Sequence, residues 1–80
     1  MTIEMEISKL LEEVKELKQA VGNGNIDCIV EELADVYVAL GNSKEVLQNE
    51  YKFSNAELST MQEYKKARTA RRFKEGYYGK

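Results

Sequence analysis

Apolar residues recur at helical spacing along most of the chain, and they predict three helices. Ile3, Ile7, Leu10, Leu11, Val14, Leu17 and Val21 form one stripe, which predicts a first helix over residues 1–21. Thr2 is its expected N-cap, followed by acids in the first turn. Gly22-Asn23-Gly24-Asn25 ends it, since glycine accepts the left-handed conformation of a C-cap. So short a turn makes the next helix an antiparallel neighbour. That second helix is predicted over 26–51, carried past Gly41-Asn42-Ser43 by Val46, Leu47 and Tyr51. The third, over 54–73, has the clearest start signal: Ser54-Asn55-Ala56-Glu57 is a capping box, and Phe53 with Leu58 fits the hydrophobic staple around it. Residues 74–80 read as a frayed tail.

The polar positions change this picture most in the second helix. Between Glu31 and Leu40 the non-acidic residues are apolar nearly all the way round, which predicts burial on most sides. Glu32 and Asp35 interrupt that run, three apart and so on one side of the helix. Ionised carboxylates in such a helix are costly unless cations or a metal compensate them. Glu13 and Glu16 repeat the spacing on the flank of the first helix. Antiparallel packing would bring the two pairs together, and four carboxylates repel unless a divalent cation joins them. Oxygen ligands of this kind suit Mg²⁺, Mn²⁺ or Ca²⁺.

A face of the third helix, Leu58, Met61, Lys65, Arg68 and Arg72, starts apolar and becomes basic. Leu58 and Met61 are expected in the core. The three cations have two readings: a helix end that complements the macrodipole, or a clamp on phosphate opposite the acids. A Mg²⁺ held by the acids has a polyphosphate as its natural substrate.

Composition narrows the class. At 80 residues the chain is a single domain, 1–80, with a core too small to be comfortable alone, so a homo-oligomer is expected. It has no proline and 32% charged residues, which fits an all-α protein. Histidine is absent, which excludes histidine-based triads and the usual zinc sites. The single cysteine, Cys28, makes no intrachain bridge; it is expected to pack as a small hydrophobe in a reducing, intracellular setting. No stretch reads as a membrane span, and the N-terminus lacks the apolar region of a signal peptide. Net charge is −2 but sorted: residues 1–35 hold nine acids against three bases, and residues 64–80 hold seven bases against one acid.

Lys9-Leu10-Leu11-Glu12-Glu13-Val14-Lys15-Glu16-Leu17 followed by Glu31-Glu32-Leu33-Ala34-Asp35-Val36 resembles the paired E-x-x-E and E-x-x-D motifs of the MazG-like all-α nucleoside triphosphate pyrophosphohydrolases. Tyr64 to Arg72 resembles that family's later Lys/Arg helix, especially in short phage-type members. The resemblance covers residues 7–72. It implies a three-helix protomer that forms a helical bundle by homo-oligomerisation, as a homodimer or dimer of dimers. It implies Mg²⁺, with Mn²⁺ as a substitute, on Glu13, Glu16, Glu32 and Asp35. It implies cleavage of a ribo- or deoxyribonucleoside triphosphate to the monophosphate and pyrophosphate. Lys65, Arg68 and Arg72 would contact phosphates, and Asn42 stands where some members have an asparagine near the substrate. The implied location is the cytoplasm. Many members have a further helix before the first motif; here about ten residues precede it, so the base pocket is expected to need a second subunit or to be minimal.

A rival expectation is a non-catalytic helical module for dimerisation or protein interaction. Nucleic-acid binding through the basic helix is a third, which the acidic overall balance disfavours.

Overall fold

The computed structural model describes the backbone of residues 2–74 and the side chains of residues 2–72. Glu75 to Lys80, with the tail and Tyr77 and Tyr78, lie outside the described residues. Three helices and no strand are present among them: α1 (Ile3–Asn23), α2 (Ile26–Tyr51) and α3 (Asn55–Lys74). The protein is all-α.

Local chemistry closes both ends of α1 and α2 and the start of α3. Thr2 Oγ1 accepts from the Met5 amide at 3.2 Å. Gly24, at φ 75°, takes the left-handed cap of α1, and its amide reaches the carbonyls of Ala20 and Val21. Asn25 then caps α2, its Oδ1 accepting from Asp27 and Cys28 at 3.0 and 3.2 Å. α2 runs through Gly41-Asn42-Ser43 without interruption and ends at Lys52, a non-glycine residue at φ 60°. Ser54 Oγ accepts from the Glu57 amide at 3.0 Å to start α3.

α1 and α2 pack as an antiparallel hairpin, and their contact positions follow one rhythm. On α1 the inward residues are Ile3, Glu6, Leu10, Glu13, Leu17 and Ala20; on α2 they are Ile29, Glu32, Val36, Ala39, Ser43 and Val46. Small residues set the closest approach. Ser43 is 2% exposed; its hydroxyl donates to the Ala39 carbonyl at 3.0 Å and lies 3.4 Å from the Glu6 carbonyl across the interface. Ser43→Leu should therefore force the helices apart and cost about 2 kcal/mol, as overpacking does. That is a fall of roughly 10 °C in melting temperature for a domain of this size. Ser43→Ala should stay near wild type at the same protein concentration, and a Ser43→Leu protein that melts with wild type would contradict this packing.

Several expectations need correction here. The stripe Ile3, Ile7, Leu10, Leu11, Val14, Leu17, Val21 is two faces, of which Ile3, Leu10 and Leu17 point inward while Leu11, Val14 and Val21 are exposed. α2 is not buried on most sides within one chain: only Ala39 and Ser43 are buried, and Val30, Tyr37 and Val38 are exposed. One neighbouring helix covers one face, whatever the apolarity of the others. Cys28 is exposed rather than packed. Met61 is exposed and Leu58 half-buried, because the packed helices are α1 and α2 and α3 stands apart from them.

A hydrogen bond from Gln48 Nε2 to Asn55 Oδ1, 2.8 Å, ties α3 to the end of α2. Beyond it an apolar cleft of about 660 Å³ separates α3 from the hairpin, lined by Ile7, Leu40, Leu47, Phe53, Leu58 and Met61 among others. The radius of gyration, 15.5 Å, exceeds the roughly 11.6 Å of a compact 80-residue chain.

The exposed apolar residues also follow a rhythm. Ile7, Leu11, Val14 and Val21 on α1, and Val30, Leu33, Tyr37 and Leu40 on α2, each follow an inward position by one residue. In antiparallel helices that offset turns both sets to the same side of the hairpin. Lys9, Glu16, Asp35 and Asn42 each precede an inward position by one, so they share the opposite side. The hairpin has an apolar side and a polar side.

Candidate metal centre

Three of the four paired acids meet between α1 and α2. Glu13 is an inward residue of α1, Glu32 an inward residue of α2, and Glu16 stands one turn beyond Glu13 at the polar edge. One carboxylate oxygen from each of Glu13, Glu16 and Glu32 lies within 4.8 Å of the others. Glu13 is 6% exposed. Glu13 Oε1 and Glu32 Oε1 are both buried with no hydrogen-bond partner. A buried carboxylate oxygen without a donor is costly, and three gathered carboxylates of which two carry such an oxygen are a donor set for a hard divalent cation. The residues present fit such an ion.

The electrostatics agree with that reading. Burial pushes the Glu32 carboxyl above its ordinary value of 4.5, helped by the charge of Glu16, a hydrogen bond shared with Glu16, and the charges of Asp35 and Glu13. A raised folded-state value means the folded protein holds a proton that the unfolded chain has released. In the metal-free protein, stability therefore falls as pH rises from about 4.5 through the Glu32 titration. Melting curves in chelator between pH 4 and 8 should show this fall in wild type and a smaller one in Glu32→Gln. Parallel profiles for the two proteins would count against it.

On the outer side of the cluster, Lys9 Nζ pairs with Glu13 Oε2 at 2.7 Å. This hydrogen bond and the Glu13 charge raise the Lys9 ammonium above its ordinary value of 10.5.

The remaining site candidates are placed differently. Asp35 is exposed and outside the three-oxygen cluster, although its charge reaches Glu32. Asn42 is exposed two turns further along the same polar side. Lys65 lines the apolar cleft. Arg68 is half-buried and shares a small concavity with Tyr64, Ala67 and Arg71; Arg72 is half-buried. The cleft that Lys65 lines is walled on the hairpin by Ile7, Leu40 and Leu47, which belong to its apolar side.

Two buried polar residues escaped sequence reasoning. Glu6 is 7% exposed and Ser43 lies beneath it. The signal was present: Glu6 is seven residues before Glu13 and so on the same helical face.

A comparison with protein-family models matches the MazG nucleotide pyrophosphohydrolase domain over residues 1–72. The chain belongs to the MazG family. Comparisons with curated proteins and with solved structures give no match. The MazG match spans both acidic pairs and the basic helix, so the three gathered carboxylates lie within the matched region. Among the described residues no helix of this MazG domain is long and apolar enough to cross a membrane.

Proposed function

We propose that this MazG domain is a Mg²⁺-dependent nucleoside triphosphate pyrophosphohydrolase that releases a nucleoside monophosphate and pyrophosphate, working as a cytoplasmic homo-oligomer. The observation that carries this reading is the cluster of Glu13, Glu16 and Glu32, with two buried oxygens that have no partner. Glu13, Glu16 and Glu32 would hold the cation, with Asp35 as the fourth carboxylate from the same turn of α2. A bound Mg²⁺ would neutralise the triphosphate and polarise the phosphorus under attack. A carboxylate oxygen of this group left unengaged accepts the proton of the attacking water. Asn42, on the same polar side, is assigned to the substrate.

Homo-oligomerisation is supported by the surface. The chain exposes 6557 Å², against about 4,900 Å² for a compact monomer of this mass. The excess is of the size that stable homodimers bury. We assign the apolar side of the hairpin to a second copy. Lys65, Arg68 and Arg72 are then assigned to the phosphates of the substrate, and the place of Lys65 on the apolar cleft favours a substrate held by a neighbouring copy.

The rival reading is a non-catalytic interaction module, and the exposed apolar side is the observation in its favour. One experiment separates them. Mg²⁺ is titrated calorimetrically into the protein with and without a non-hydrolysable nucleoside triphosphate, followed by an assay for pyrophosphate release from the common triphosphates. Mg²⁺ binding that tightens with nucleotide, together with pyrophosphate release, supports the enzyme. A folded oligomer that binds neither supports the module.

A further inference from the structure

Lys9 has no part in the reading above. It sits one helical turn before Glu13, on the polar side of the hairpin. An exposed lysine four residues from a glutamate is ordinarily a solvated pair of little consequence. Here the two partners differ in surroundings: the Lys9 side chain is 56% exposed and that of Glu13 only 8%. The ammonium takes Oε2 at 2.7 Å, while Oε1 is buried and without a hydrogen-bond partner. The two oxygens of one carboxylate thus have separate fates. Oε2 is engaged by the ammonium, and Oε1 is the oxygen of Glu13 that stays buried and unpartnered.

We propose that Lys9 is a positioning residue that restricts Glu13 to a single ligand oxygen and so makes the site prefer a small octahedral cation to a calcium-sized one. The inference rests on the metal reading above and deepens it. Mg²⁺ requires near-octahedral ligands at about 2.0–2.1 Å, whereas Ca²⁺, at about 2.3–2.6 Å, readily takes both oxygens of one carboxylate. An ammonium on Oε2 obstructs the two-oxygen mode and fixes the rotation of the carboxylate, as partners of metal-ligating groups commonly do. The positive charge of Lys9 opposes Mg²⁺ and Ca²⁺ alike. Its charge alone therefore leaves the ratio of the two affinities unchanged, and the ratio reports positioning.

The test is calorimetric titration of MgCl₂ and, separately, CaCl₂ into the whole protein as wild type, Lys9→Met, Lys9→Gln and Lys9→Arg, with helix content followed by circular dichroism. Lys9→Met keeps the aliphatic stem and removes the charge and the hydrogen bond. The expected result is a fall of about tenfold or more in the preference for Mg²⁺ over Ca²⁺ in Lys9→Met, within the range seen when partners of metal ligands are removed. Lys9→Gln shows the same direction. Lys9→Arg, which keeps a cation at Oε2, stays close to wild type. An unchanged ratio in Lys9→Met and Lys9→Gln overturns the proposal, whether both cations bind more tightly, more weakly or as before. Wild type that binds neither cation overturns the metal reading together with this inference; wild type that binds, with no shift in ratio among the variants, overturns this inference alone.

Discussion

Glu32→Gln is expected to give a metal-free protein at least as resistant to heat as wild type, and one that Mg²⁺ no longer stabilises. The two halves of this result have one cause. In wild type, Glu32 is pushed up by burial and by the carboxylates of Glu16, Asp35 and Glu13, so its ionised form is disfavoured in the folded, metal-free protein. The amide removes one charge from the cluster and can donate to a neighbouring carboxylate oxygen. It also removes a ligand. A cation bound only by the folded state stabilises it by about 2.7 kcal/mol at a hundredfold excess over its dissociation constant. For a domain of this size that is a rise of roughly 10–20 °C in melting temperature. Wild type should show a rise of this order with saturating Mg²⁺ and Glu32→Gln essentially none, with pyrophosphate release lost in parallel. Equal Mg²⁺ stabilisation of both proteins would remove Glu32 from the metal centre.

The second large effect is on assembly. Tyr37 and Val38 are neighbours in sequence and similarly exposed, at 69% and 63%, yet they lie on opposite sides of the hairpin. If the apolar side is covered by a second copy, Tyr37→Glu places a charge in a dry interface with no partner. Breaking apolar contact in this way costs on the order of 3 kcal/mol or more, over a hundredfold in dissociation constant. Val38→Glu, on the polar side, leaves assembly intact. Sedimentation velocity should find wild type and Val38→Glu as oligomers of the 9.2 kDa chain and Tyr37→Glu as a monomer. If the two variants sediment alike, the apolar side is not the interface.

These two effects depend on different layers of information. The acidic pairs were legible because i, i+3 spacing fixes a shared helix side and because a two-residue turn leaves α2 antiparallel to α1. Glu13, Glu16 and Glu32 consequently appear together. That Asp35 stands outside the three was not legible, since a residue three along a helix is rotated about 60° and the precise phase of α2 against α1 decides on which side of the contact it falls. The same phase hid Glu6. Apolar periodicity identifies helices but does not say which apolar face is covered from within the chain, so Tyr37 and Val38 read as buried and are exposed.

Local chemistry, then, was determined by the sequence alone: three helices, their caps at Thr2, Gly24, Asn25 and Ser54, and the presence of carboxylates at metal-binding spacing. These depend on interactions within a few residues, which the chain carries with it wherever it folds. Only the tertiary structure decided that Ser43 packs against Glu6 between α1 and α2, that Glu13 and Glu32 turn inward toward one another, and that α3 stands across an apolar cleft from the hairpin. Those outcomes depend on the distance and rotation between helices. Side-chain volume at a few contact positions fixes them, and no spacing along one helix records it.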